Sequence, residues 1–299
     1  MFNEAKYLNE TKKYNEFTYW FRRCRGNVDA FEVIRIDTKE VIGVYNYFLG
    51  TFRNPCTGDE ITDMLLQANV DTEFGWYKER PEYQVGRRVV MEKMNPELAV
   101  TVYETLLVGI QFIRAEKAGV DPDSAYPQIS NTLNWLRQTD IYTAPGSTRY
   151  HDNYSGGLII HHLNVYNSAL DLMIVKRFSE AVELDSIALL ALTHDWCKIG
   201  FYESYMRNVK NDETGQWEKK QEWKYRDEPL GVSLGHGVSS MYLVGRCFRL
   251  TQEEATALRW HMGWCRVVND EMNELQACNE RYPLVHLLQF ADQLSIVKY

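Results

Sequence analysis

Seven histidines, His151, His161, His162, His194, His236, His261 and His286, all fall after residue 150 of this 299-residue chain. Imidazole titrates near neutrality and is the commonest side-chain metal ligand, so the chemistry is expected in that half. Two aspartates accompany them. Asp195 follows His194 at the end of LDSIALLALTHDWC, an apolar run of helical length, and Asp292 shares a helix face with Leu284 and Leu288. A carboxylate on such a face is costly unless it is paired or bound to metal. Lys198 follows within one turn and reaches the same mouth. Each residue also has a structural reading: His161 as a hydrogen-bonded core histidine, His194 and Asp195 as a bond between helices, Lys198 as a solvated helix-end lysine. Taken together, His161, His194, His236, His261, Asp195 and Asp292 project from the inner sides or ends of successive helices, as a metal centre in a helical core requires.

The elements that must position these groups can be read from periodicity and caps. Ile160, Val165, Ala169 and Leu172 predict a helix over Gly157 to Phe178 with His161 facing inward. Leu184 to Cys197 predicts a buried core helix, and His236 to Phe248 the next. Thr251 and Glu254 form a T-x-x-E capping box for a helix that closes at Gly263, and Pro283 opens the last one. Upstream, Pro96 opens a helix from Leu98 to Lys117, ended by Gly119 and Pro122, and a shorter one surrounds Ile129 to Arg137. Between Ser204 and Arg226 the pattern becomes YMRNVK, NDETG, QWEKKQEWKYR, which predicts a β-hairpin over about 204–226. It interleaves Trp217, Trp223 and Tyr225 with Lys219, Lys220, Lys224 and Arg226. Such a hairpin either hangs over the site, stacking a base and binding phosphate through Lys224 and Arg226, or packs on a domain with its lysines in water. The first third predicts a polar helix over residues 3–23, a helix capped by Thr38 from Lys39 to about Leu49, another after Asp59, and some strand before Met94. That makes residues 1–125 a mixed, mostly helical region of unassigned role, with the domain change between 120 and 150 and a mainly α domain over 140–299.

In order, HDNYSGGLIIHHLNV, THDWCK, GHGVSS, WHMG and FADQLS resemble the H…HD…H…H…D series of the HD-domain superfamily of metal-dependent phosphohydrolases, across about residues 140–299. The HxxxxGG before the first ligand resembles the subgroup that includes some 3′→5′ exoribonucleases and plasmid-transfer proteins. The resemblance implies a phosphodiesterase-like helical bundle with an inserted β-hairpin. It implies that His161, His194, Asp195 and Asp292 hold a first metal, with His162 behind the ligands or at the surface. His236 and His261 would hold a second metal, bridged by Asp195. A His-rich set with carboxylates suits manganese, iron, zinc or cobalt, two ions per chain, better than magnesium. Two such ions activate a water and neutralise phosphate oxygens during in-line attack. Asp195 and Lys198 would then be catalytic, Lys198 by binding the phosphate. His151 either contacts substrate or water as a third catalytic residue, or is a loop histidine fixed by a backbone hydrogen bond. His286 lies on another helix face and reads as structural.

The expected activity is hydrolysis of a phosphate ester or anhydride of a nucleotide or similar small phosphorylated molecule. Two other readings stand beside it. A 3′→5′ exonuclease on single-stranded RNA or DNA requires a positive, aromatic-lined groove leading to His161 and Asp195. A non-catalytic metal-stabilised nucleotide sensor requires only the ligands. With 45% hydrophobic and 25% charged residues the composition is that of a globular domain. A net charge of −8, with acidic residues in excess in both halves, excludes a basic body that holds duplex nucleic acid. No apolar run approaches the roughly 18–20 residues of a membrane span, and MFNEAKYLNE has no apolar signal core. The six cysteines are scattered with no CxxC pair, which suits reduced thiols and a cytoplasmic setting. An oligomer is compatible with all of this.

Overall fold

A computed structural model of the chain describes residues 11–14, 17–23, 30–35, 38–46, 51–54, 56–57, 81–92, 94–211 and 215–297. The chain divides into two compact units, Met1–Gln84 and Val85–Tyr299.

In the first unit, β1 (Thr11–Tyr14), β2 (Phe17–Arg23), β3 (Ala30–Arg35), β4 (Val41–Asn46) and β5 (Thr51–Arg53) pair antiparallel in chain order. This corrects the helices expected over 3–23 and from Lys39 to Leu49, and with them the mostly helical character of the N-terminal region; the helix expected after Asp59 lies outside the described residues. FTYWFRR, AFEVIR and VIGVYN are rich in aromatic and β-branched residues, which favour strands that pair with neighbours, and the register places Glu32 opposite Val44. Thr38 caps no helix. It sits in the β3–β4 connection, where its Oγ1 accepts from Glu40 N at 3.4 Å and Lys39 takes φ 62°. The register shifts between Val33 and Ile34, and these two adjacent side chains are both buried, which strict strand alternation would not allow.

The second unit is a helical bundle: α1 (Pro96–Lys117), α2 (Tyr126–Arg137), α3 (Gly157–Leu172), the short α4 (Lys176–Ser179), α5 (Leu184–Thr193), α6 (His236–Cys247), α7 (Gln252–Trp260), α8 (Met272–Arg281) and α9 (Pro283–Ser295), with the hairpin β6 (Tyr202–Lys210) and β7 (Trp217–Tyr225) inserted after α5. In this unit Pro96 and the Thr251–Glu254 box open helices as expected. Asn95 accepts from Leu98 N ahead of Pro96, and Thr251 and Glu254 exchange bonds of 3.2 and 2.8 Å. α3 packs on α1, α5 and α9, while α7 packs on α5, α6 and α9. α1 and α2 thus belong to the same unit as the candidate ligands.

Leu107, Ile110 and Phe112 of α1, Leu163 and Tyr166 of α3, Leu189 and Leu190 of α5 and Leu287 and Leu288 of α9 fill the core with Trp196. The buried indole donates to Tyr103 Oη at 2.8 Å, and that hydroxyl donates to Leu192 O at 2.7 Å, so neither polar group is stranded. Contrary to the reading of run lengths, α1 is long and apolar enough to cross a membrane by length and composition. Here most of that window is buried within the bundle, and its charged residues are paired across helices: Glu104 with Arg137 at 2.9 Å and Arg114 with Asp185 at 3.2 Å.

Candidate metal centre

α3 begins against the loop that precedes it. A Cβ on Gly157 would stand 1.9 Å from Asp152 O, so only glycine lets this loop lie on the helix start, one turn before His161. The apolar run of α5 continues to Cys197, but the helix stops at Thr193. His194 is the C-cap, and its Nδ1 lies 3.0 Å from Ala191 O in the last turn. His261 does the same at the end of α7, with Nδ1 2.7 Å from Leu258 O. A carbonyl can only accept, so each ring carries its proton on Nδ1 and turns the Nε2 lone pair outward, the tautomer a metal ligand needs. Asp195 leaves the helix at φ −104°, ψ 21°, which swings its carboxylate between the two histidines.

His161, His194 and Asp292 form one group: His161 Nε2 lies 3.3 Å from His194 Nε2 and 3.2 Å from Asp292 Oδ1, with His194 Nε2 to Asp292 Oδ1 at 3.7 Å. Asp195, His236 and His261 form a second, with Asp195 Oδ1 2.9 Å from His236 Nε2 and 3.7 Å from His261 Nε2. The other oxygen of Asp195 faces the first group, 3.6 Å from both His161 Nε2 and His194 Nε2. Asp195 therefore offers one oxygen to each side.

These residues fit divalent cations. Two ligands about 2.1 Å from one ion stand about 3–3.4 Å apart at octahedral or tetrahedral angles; the separations of 2.9, 3.2 and 3.3 Å match this, and those of 3.6 and 3.7 Å are slightly wider. His261 Nε2 is buried with no hydrogen-bond partner. His161 and His194 aim Nε2 atoms at each other inside the core, an arrangement that a shared cation relieves.

The electrostatics favour loading. Burial pushes His194 down to about 4, against the pull of Asp195 and Asp292, so the ring is neutral at pH 7. Burial also opposes ionisation of Asp195, but Lys198, His194 and the His236 hydrogen bond outweigh it and hold the carboxyl well below its ordinary range. Asp292 is likewise lowered: burial is outweighed by the His161 hydrogen bond and, below about pH 4 where His194 becomes protonated, by the charge of that ring.

A cavity of about 660 Å³ opens onto the cluster, lined among others by His151, His161, Asp195, Lys198, His236 and Asp292. Lys198 is nearly enclosed in its wall and binds Asp195 Oδ2 and Gly146 O, which leaves one of its three N–H donors for a ligand. His151 Nδ1 is 3.5 Å from Asp152 Oδ2, its ring is 4.6 Å from that of His161, and His151, Asp152 and His161 make a third group of converging ligand atoms. Arg226 lines the cavity. Lys224 does not: it forms a 2.7 Å ion pair with Glu203 and faces a separate groove. His162 is in the core rather than at the surface, stacked on Tyr103 with ring centroids 5.7 Å apart. His286 stacks on Phe290 away from the cluster.

Sequence reasoning missed Asp152, Cys197 and Ser295. Cys197 Sγ lies 3.2 Å from His236 Nδ1, and Ser295 Oγ lies 3.5 Å from His161 Nδ1 while donating to Asp292 O. Asp152 is adjacent to a flagged histidine and was legible in principle; Ser295 acts through a contact between α3 and α9 that no local pattern reveals.

His236 reaches Asp195 because α6 starts directly on the end of α7. A Cβ on Gly237 would stand 2.0 Å from Arg259 O. Gly237→Ala is therefore expected to separate α6 from α7 and destabilise the unit by about 1–3 kcal/mol, read as a lowered denaturant midpoint. An unchanged midpoint would show that the close approach is not required.

The clustered histidines and aspartates are positioned to chelate metal at the floor of a cavity, which is a metal-dependent active-site arrangement in a mostly helical domain. Compared with family models, curated proteins and solved structures, the chain matches none.

Proposed function

We propose that this chain is a metal-dependent phosphohydrolase of the HD type, which hydrolyses a phosphate ester or anhydride of a nucleotide or similar phosphorylated molecule. The observation that carries this reading is the division of the two Asp195 oxygens between two His-rich groups. His161, His194 and Asp292 would hold one divalent ion and His236 and His261 the other, with Asp195 serving both. When bound, such ions acidify water into a nucleophile and withdraw charge from phosphate oxygens. Lys198 holds a permanent positive charge beside Asp195 and would bind a phosphate oxygen with its remaining N–H. Burial works against the ammonium, but Asp195 more than offsets it and the pKa is raised. Arg226, in the same wall, would take a further phosphate oxygen, and His151 lies where it would meet the leaving group or the attacking water. The donor set supports manganese, iron, zinc or cobalt over magnesium.

The test is a screen of chelator-stripped protein with each of these metals added back. The substrates are nucleoside mono-, di- and triphosphates, cyclic dinucleotides and short single-stranded RNA. Hydrolysis that disappears on stripping and returns with metal is the expected result. No turnover with any metal, despite bound metal, would sink the enzyme reading in favour of a nucleotide sensor.

A further inference from the structure

A second cavity of about 770 Å³ lies between the hairpin and the loop before α3, and Thr148 and Tyr225 line both it and the metal-side cavity. Its walls carry Arg149 from the loop and Arg207, Lys220 and Lys224 from the hairpin, in a chain whose net charge is −8. The register explains the clustering. Tyr205↔Glu222, Arg207↔Lys220 and Glu203↔Lys224 are cross-strand pairs on one face of the ribbon, and Asn208↔Lys219 and Lys210↔Trp217 are on the other. Of the acids on the groove face, Glu218, opposite Val209 and outside the groove lining, accepts from Asn211 at 2.8 Å, and the two beside the groove are spent locally. Glu222 accepts from Tyr205 at 2.8 Å and pairs with Arg207 at 3.3 Å, and Glu203 pairs with Lys224 at 2.7 Å. Arg149 and Lys220 form no ion pair among the described residues, so the groove is left with an excess of positive charge facing solvent. Tyr225, which pairs with Tyr202 on the other face of the ribbon (ring centroids 5.2 Å apart), is exposed at the strand end, where it lines both cavities.

A ligand-sized site holds about 300–1,000 Å³, so the metal-side cavity of about 660 Å³ already accommodates one nucleotide. A mononucleotide would leave the charged groove empty. We propose that the groove binds the backbone of a single-stranded oligonucleotide, with Tyr225 stacking a base at the junction and Arg149 and Lys220 on the adjoining phosphates. Cations tracking a backbone beside an exposed aromatic face are the means by which single strands are held without sequence preference. The direction of the strand, toward the metal cluster, rests on the phosphohydrolase reading above; the binding itself does not.

The experiment measures binding of fluorescein-labelled ten-nucleotide oligouridylate and oligothymidylate to the full chain by anisotropy, with chelator present so that no cleavage intervenes. Arg149→Glu/Lys220→Glu is compared with Lys210→Glu/Lys219→Glu, the same charge change on the opposite face of the hairpin. The groove pair should weaken binding about tenfold or more and reduce the log–log salt slope by about 1.4, two single-strand phosphate contacts. The opposite pair should change it less than about threefold, the share due to net charge alone. Arg149→Gln/Lys220→Gln repeats the test without reversing charge, in case reversal disturbs the hairpin. Equal effects of the two pairs, or no binding by the wild type, would overturn the proposal. Preference for oligouridylate over oligothymidylate would identify RNA as the strand. A wild type that binds the oligomers but hydrolyses nothing removes the enzyme reading and keeps the groove. One that hydrolyses mononucleotides and ignores the oligomers does the reverse.

Discussion

On the proposed two-metal hydrolase reading, Asp195→Ala is expected to lose both cations together, and hydrolysis to fall by about 10³-fold or more, at least 4 kcal/mol of transition-state stabilisation. The reason is the placement of its two oxygens, one within 3.7 Å of His236 and His261, the other 3.6 Å from His161 and His194. Among the described residues no other carboxylate contacts histidines of both groups. Elemental analysis of the purified variant reads the metal and the substrate screen reads the activity. His261→Ala sets the contrast, since it should lose about one ion per chain and keep the other. Removing Asp195 also strips the partner from a buried ammonium, which costs about 3–5 kcal/mol in such settings. Asp195→Asn, which can still hydrogen-bond to Lys198, separates loss of metal from loss of fold. Full metal content and activity in both Asp195 variants would refute the assignment.

Lys198→Met should retain metal yet lower kcat by about 10²–10³-fold, the usual consequence of removing one preorganised donor to developing charge. Methionine keeps the apolar stem in the cavity wall and removes the ammonium that now bridges Asp195 and Gly146 O. The comparison is made at matched metal loading. Unchanged kinetics would reduce Lys198 to a counter-ion that keeps Asp195 ionised in the unloaded protein, a role the geometry already gives it.

What the sequence revealed depended on how local the signal was. Pro96, Pro283 and the Thr251–Glu254 box announce helix starts because capping involves residues within one turn, and all three are found there. The inward faces of His161 and Asp292 follow from spacing against Val165, Ala169, Leu284 and Leu288, which the core confirms as buried. The N-terminal sheet is hard to read from sequence for the opposite reason. Phe17–Arg23 and Val41–Asn46 acquire their structure from partners on other strands, and the charged sequence NEAKYLNETKKYNE just before Phe17 reads as a polar helix. The end of α5 was also hidden. An apolar run reads as helix through Cys197, whereas the chain breaks at Thr193, where the His194 ring bonds to the final turn. The hairpin was placed by its turn, but which of its cations share a face follows only from register. Lys224 and Arg226, two residues apart, both reach Glu203, at 2.7 and 3.8 Å, yet they line different cavities, a division that spacing alone does not show.

The tethering of His194 and His261 to carbonyls of their own helices carries a mechanical consequence. Each donor nitrogen moves as one body with a terminal coil of backbone, so unwinding either end by a single residue withdraws a ligand. Cation release and fraying at these two places are then one event, and occupancy of the site governs how firmly α5 and α7 stay wound at their tips.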